Sequence, residues 1–303
     1  MDLALNKIIK FPSKTYLVLT ILCISSIVFS QEAAGISFNY ETFPSVKLAD
    51  PIAESEKLEI QASSWSTNAA FPLMFGDGKI IIYNNLTYQR VDFSYKNFPV
   101  EGTKIKQAQS VKFSSFMIDS LSEKWSFVLA LTPGLASDFE GDITMDDFTL
   151  EAVTGFIRKY SKTFQLGAGL AYARDFGTPL PMPFIYLDWI ISPKLHLGGL
   201  VPINMALTYK LNEMIDLGFA FKVKGDRYHG NPDLFDTKNP QMEYSEGTLS
   251  PFLRLHFSKW IHLNIEGGFA PNRNFEFLDG DKSVQSLDLE STGYLRAGLV
   301  LGI

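Results

Sequence analysis

Four histidines occur in the 303 residues, and two of them sit beside groups that could act as partners in proton transfer. His256 is two residues from Ser258, and His262 is four residues from Glu266. In an extended chain both spacings put the two side chains on one face. A hydroxyl, an imidazole and a carboxylate converging at one strand end would be the parts of an acyl-transfer site. Such pairs also arise by chance where histidines cluster in strands, so no catalytic residue and no enzymatic activity is expected. The chain has no phosphate-binding glycine loop, no Gly-x-Ser-x-Gly elbow and no His-Glu-x-x-His helix. Its single cysteine, Cys23, lies in the N-terminal leader, so disulfides and thiol chemistry are excluded from the remainder. Asp138, Glu140, Asp142, Asp146 and Asp147 form an acidic run whose spacing does not fit a calcium loop. That run reads as a solvated loop, with no metal and no cofactor expected.

The other polar side chains gain meaning from the elements that carry them. From Phe148 to Phe156, Phe148, Leu150, Ala152, Thr154 and Phe156 share one face, with Thr149, Glu151, Val153 and Gly155 on the other. Phe164, Leu166, Ala168, Leu170 and Tyr172 oppose Gln165, Gly167, Gly169, Ala171, Ala173 and Asp175. Ile215, Leu217, Phe219, Phe221 and Val223 oppose Asp216, Gly218, Ala220, Lys222 and Lys224, and Ile261, Leu263, Ile265 and Phe269 oppose His262, Asn264, Glu266 and Gly268. A period of two is the mark of a β-strand. One face is large and apolar while the other mixes glycine with charge. A soluble sandwich would have little use for glycine on its wet face. A barrel with lipid outside and a narrow polar lumen uses both faces.

Length and spacing agree with a membrane barrel. Phe164 and Tyr172 are eight residues apart, which at about 3.3 Å per residue and a tilt of about 40° is roughly 20 Å along the membrane normal. Short turns are expected at 119–124, 161–163, 192–194, 211–214 and 258–259, and long polar loops at 96–104, 136–146, 176–181, 227–242 and 271–287. A tight reversal at 199–203 around Pro202 keeps turns and loops on alternate ends. Twelve strands then run from Lys79 to Ile303, and Ile36 to Phe43 with Lys57 to Trp65 would make fourteen. The expected fold is an all-β, transmembrane, antiparallel up-and-down β-barrel. Residues 31–78 are either its first strands or a segment that stays periplasmic or enters the lumen, and 79–303 are the barrel.

Inward-facing positions give the lumen-lining candidates: Glu151, Asp188, Asp216, Lys222, Lys224, Arg254, His256, His262, Glu266 and Arg296. Both signs occur on neighbouring strands, which predicts either an internal ion-pair network that fills the lumen or a polar path for solute.

The N-terminus sets the compartment. Lys7, Lys10 and Lys14 precede the apolar stretch Thr15 to Phe29, and a polar QEAAG follows Ser30. This is the pattern of a secretory signal over residues 1–30. Its removal takes the formal charge from −6 to about −8, and the absence of a basic stripe argues against a nucleic-acid partner.

The terminal Arg296-Ala-Gly-Leu-Val-Leu-Gly-Ile303 resembles the outer-membrane insertion signal, with Gly298, Leu301 and Ile303 at its defining positions and isoleucine where an aromatic is usual. A leader ending in Phe-Ser-Gln is similar to those of Bacteroidota. The strand pattern, including Leu200-Val-Pro202 and Tyr209, resembles an uncharacterised family of outer-membrane β-barrels of that group. The resemblance implies location in the outer membrane, contact with its lipid and lipopolysaccharide, and recognition by the barrel-insertion machinery. It implies no specific activity. A narrow channel or a structural surface barrel is the expected role, with a hydrophobic-molecule transporter carrying an N-terminal hatch, or a barrel-embedded lipid-modifying enzyme, as alternatives.

Overall fold

A computed structural model describes residues 34–49, 58–97, 105–173, 180–230 and 239–302. The leader, Ile303 and the centres of four loops lie outside the described residues. Fifteen β-segments run in chain order: β1 Gly35–Lys47, β2 Glu59–Phe75, β3 Ile80–Lys96, β4 Gln107–Ser120, β5 Trp125–Ser137, β6 Phe148–Lys159, β7 Phe164–Ala173, β8 Leu180–Ser192, β9 Leu195–Val201, β10 Asn204–Lys210, β11 Ile215–His229, β12 Pro240–His256, β13 Ile261–Asp279, β14 Lys282–Leu289 and β15 Thr292–Gly302. Each pairs antiparallel with its sequence neighbour, except that β14 and β15 in turn cover the two ends of β13. Together β14 and β15 make one wall strand. β15 also pairs with β1, from Gly35↔Gly302 to Thr42↔Leu295. The result is a closed barrel of fourteen strands, the higher of the two expected counts.

Closure settles where the N-terminal strands belong. β1 is hydrogen-bonded to β15 on one side and β2 on the other, so residues 35–47 and 59–75 are wall. They form neither a hatch in the lumen nor a separate periplasmic segment. The expected loop at 271–287 is also corrected: it is a β-hairpin that continues β13 to Asp279, turns at Gly280-Asp281 and returns as β14. Alternation persists there, but Asn, Arg, Asp and Gly make the segment look like loop. The reversal around Pro202 stands as expected, with Ile203 donating to the Leu200 carbonyl at 2.7 Å.

No described helix is long and apolar enough to cross a membrane. The outer face of the strands is apolar: Leu86, Leu131, Phe156, Leu170, Ile185, Phe219, Ile265 and Leu295 are all exposed. Trp125, Trp189 and Trp260 ring the end that carries the short turns, and Tyr40 and Trp65 pair near the middle of β1 and β2. In water such a surface would be costly, but against lipid it is the expected band, with an aromatic border at the short-turn end.

The inner face falls into two layers. At the end opposite the short turns, Phe43, Ile60, Phe93, Tyr228, Met242, Tyr244, Phe275 and Phe277 pack into a dry core, with Phe275 at 0% exposure. Every strand supplying this core belongs to β1–β5 or β11–β15. At their tips β11 and β5 meet directly: the Asp138 amide and the Ser137 hydroxyl both donate to the His229 carbonyl at 3.0 Å. β6–β10 are thereby excluded, and the other strands close over the lumen as an apolar dome. Below the dome the wall formed by β6–β10 has its own inward apolar cluster, Ala171, Met182, Phe184, Tyr186, Leu200 and Ile203. The tip of the Phe184 ring reaches Gly155 of β6 and Gly169 of β7. A Cβ on Gly169 would fall 2.7 Å from that ring and 2.1 Å from the Thr154 carbonyl oxygen, so glycine is required there.

Candidate functional site

Below the dome the lumen holds a continuous set of ion pairs, and strand register builds it. Glu41, Arg296 and Glu266 are direct cross-strand neighbours on β1, β15 and β13. Arg296 Nη1 donates to Glu266 at 3.1 Å and Nη2 to Glu41 at 2.5 Å, bridging the seam where the barrel closes. Lys222 Nζ donates to the other Glu266 oxygen. Lys224 Nζ donates to Glu41 at 2.9 Å and lies 3.7 Å from Glu246. Nearby, Lys112 on β4 holds both Glu151 and Asp226 at 2.8 Å, tying β4 to β6 and β11. Buried charges of one sign would be expelled or neutralised, so the mutual pairing is what lets them stay.

The dome and the ion pairs are connected. The Tyr244 hydroxyl donates to Glu246 and accepts from Arg273 Nε at 3.3 Å. Arg273 is buried, with its guanidinium 4.2 Å over the Phe43 ring. That stacking partly compensates a cation placed in an apolar core.

Toward the short turns the groups change character. His256 Nε2 is 2.9 Å from Asp216, and His256 Nδ1 is 2.8 Å from His262 Nδ1, so one imidazole must donate and the other accept. Arg254 donates to Asn264 at 2.9 Å. His196 Nε2 lies 2.6 Å from Asp188, which also accepts from Gln165 at 3.4 Å. A pocket of ≈ 630 Å³ at this mouth is lined by His196, Asp216, His256 and His262. A second cavity, ≈ 380 Å³, lies in the lumen beside Lys222, Lys224, Arg254, Arg296, Glu41 and Glu266.

Of the ten lumen-lining candidates, nine enter ion pairs with one another or with neighbours that the sequence reading did not select, and His262 meets His256. The two spacings considered for catalysis do not form pairs. The Ser258 hydroxyl accepts the Trp260 and Ile261 amides as part of a turn, at 3.1 Å each. Glu266 meets Lys222 and Arg296, not His262. Among the described residues no three His, Cys, Asp or Glu side chains are grouped to hold a metal. Of the insertion-signal positions, Gly298 faces inward beside Asn39, Leu301 faces outward, and Ile303 lies outside the described residues.

The sequence reading missed Glu41, Glu246, Lys112, Asp226, Arg273 and His196. Glu41 precedes Pro44 and a register shift between Phe43 and Val46, which disguises β1. Glu246 and Asp226 border the loop assigned to 227–242. Lys112 sits in a strand whose Phe116-Met117-Ile118 run breaks the alternation.

Among solved structures, the chain is similar to the COG4313 outer membrane channel from Pseudomonas putida F1, at 8% identity and a TM-score of 0.44 over 90% of this chain and 96% of that one. It is similar to the NanC porin at 8% identity and a TM-score of 0.42, over 88% and 100%. The toluene transporter TodX of Pseudomonas putida gives 7% identity and a TM-score of 0.41, over 97% and 94%. Similarities this distant say nothing about what the chain does. A search of curated proteins found no match. Residues 27–291 match a domain of unknown function, DUF6268, and the chain belongs to that family.

Proposed function

We propose that the chain is an outer-membrane β-barrel that works as a narrow channel, with the short turns and the histidine-lined mouth facing the periplasm. The observation that carries this reading is the lumen itself. Between the mouth pocket and the dome the interior keeps a ≈ 380 Å³ cavity lined with charge instead of being filled by side chains. A barrel built only as a wall would gain by packing that space. Location in the outer membrane of a Bacteroidota-type envelope, contact with lipopolysaccharide and delivery by the insertion machinery rest on the leader, the terminal strand and the apolar belt. A role without catalysis fits a mouth whose histidines are occupied with Asp188, with Asp216 and with each other.

Planar-bilayer recording of the refolded mature chain tests the reading. Conductance steps well below those of an open general porin are expected, because the dome closes the axial exit. Wide, ohmic steps would overturn it, as would a mature protein recovered from the soluble periplasm or one whose gel migration does not change on heating. A silent bilayer with a heat-modifiable barrel would favour a structural role, for which the dry dome is the specific observation.

A further inference from the structure

The lumen is amphipathic across its width. On one side β1, β11, β13 and β15 present Glu41, Lys222, Lys224, Glu266 and Arg296. On the other, the inner face of β8–β10 is apolar from Met182 through Phe184 and Leu200 to Ile203. The ≈ 380 Å³ cavity is lined by those charged residues, by uncharged polar side chains of β1–β3 such as Asn39 and Asn68, and by an apolar part to which Ile203 of that cluster, Ala206 of β10 and Phe252 of β12 contribute.

Its charge is unbalanced. Four cations line it, Lys222, Lys224, Arg254 and Arg296, against two carboxylates, Glu41 and Glu266. The carboxylates that complete the wider network, Glu246 and Asp216, do not line the cavity. Arg296 is committed to both lining carboxylates, and Lys224 to Glu41 and Glu246. Lys222 is differently placed. Its ammonium has three donors, its ion-pair partner Glu266 is shared with Arg296, and its side chain is 32% exposed.

We propose that this cavity binds an amphiphilic carboxylate, a short apolar chain or ring with one carboxylate, its head on Lys222 and its body against Ile203 and Phe252. The proposal rests on the channel reading and supplies its substrate class. The excess of cations disfavours an amine head, and a neutral body without a head would leave the polar wall unused. The volume is near the lower end of the roughly 300–1,000 Å³ typical of small-molecule sites, which selects single short amphiphiles over whole lipids.

The test uses the full mature barrel in lipid nanodiscs, with radiolabelled decanoate, decylammonium and decanol as probes and empty nanodiscs as the background. Saturable decanoate binding above background is expected, at least about tenfold tighter than decylammonium or decanol, since a hydrogen bond to a charged group is worth about 1.5–3 kcal/mol. The double variant Lys222→Gln, Glu266→Gln removes the head contact without stranding a carboxylate, and should lose about the same factor. Should that variant fail to insert, Ile203→Glu provides the second arm. It alters a turn residue and sets a like charge beside the ligand body, so decanoate binding should fall while heat-modifiable migration is kept. Equal uptake of the three probes, or unchanged decanoate binding in a folded variant, would overturn the assignment. Those results in a barrel that inserts and conducts leave the channel reading standing, whereas failure to fractionate with the outer membrane removes both.

Discussion

The residue on which most depends is Arg296. It is the one cation between Glu41, 3% exposed, and Glu266, 9% exposed, and it sits on the strand that closes the barrel. Replacing Arg296 with Met would leave Glu41 with Lys224 and Glu266 with Lys222, each carboxylate now short of a donor. Breaking a buried pair by removing one partner costs about 3–5 kcal/mol. Urea unfolding followed by gel migration should show that loss in Arg296→Met. Glu41→Gln added to it should recover part of the loss by removing the stranded charge. A variant as stable as the parent would mean that water in the lumen already solvates the carboxylates. Arg296 was legible from sequence because the outward positions of its strand, Leu295, Ala297, Leu299 and Leu301, are apolar or small, which leaves Arg296 on the opposite face. Its partner Glu41 was hidden, because Pro44 and the register shift that follows break the period of β1.

At the scale of elements, the decisive feature is the union of the β11 and β5 tips, which no periodicity announces. Two strands far apart in sequence meet through backbone atoms, and the side chains that brace them, His229 and Asp147, belonged to segments read as loop. Asp147 lies in the 3-10 turn Met145–Asp147 outside the wall strands, 3.0 Å from His229 Nδ1, and accepts the Thr144 amide at 2.6 Å. Burial pushes its carboxyl up, but the Thr144 amide and His229 help pull it further down, so it titrates below its ordinary value of 3.8. A carboxyl depressed in the folded state stabilises the union at pH above that ordinary value. The contribution drains away as pH falls through 3.8 and below. Asp147→Ala should reproduce the acid effect at neutral pH, loosening the junction by about 2 kcal/mol. Proteinase K should then cut within residues 137–147 faster in the variant than in the parent, while the membrane-embedded strands stay protected. Equal cutting rates would show that the backbone bonds to His229 hold the junction unaided.

Taken whole, the molecule is two barrels of different solvent logic built from one sheet. The membrane section is inside-out, and its alternation of apolar and glycine-or-charged residues could be read along the chain. The dome is packed as a soluble protein is, with Phe43, Phe93 and Phe275 inward. The same inward aromatics would suit an ordinary sandwich, so sequence alone could not assign them to a lid over a lumen. Phe93 and Phe275 meet edge to face at 5.1 Å, and Tyr244 packs against both. If the dome is what closes the channel, thinning it should open the channel without dismantling the wall, because the seam and the ion pairs lie beneath it. Phe93→Ala with Phe275→Ala removes two buried rings, each worth about 3–5 kcal/mol in a well-packed core, and leaves space that water can occupy once the aromatic contact is gone. Single-channel conductance of the double variant should exceed that of the parent several-fold, with heat-modifiable migration retained. An unchanged conductance in a folded double variant would place the barrier lower, among Glu41, Arg296, Glu266 and Lys222, and make the ion-paired waist the true constriction.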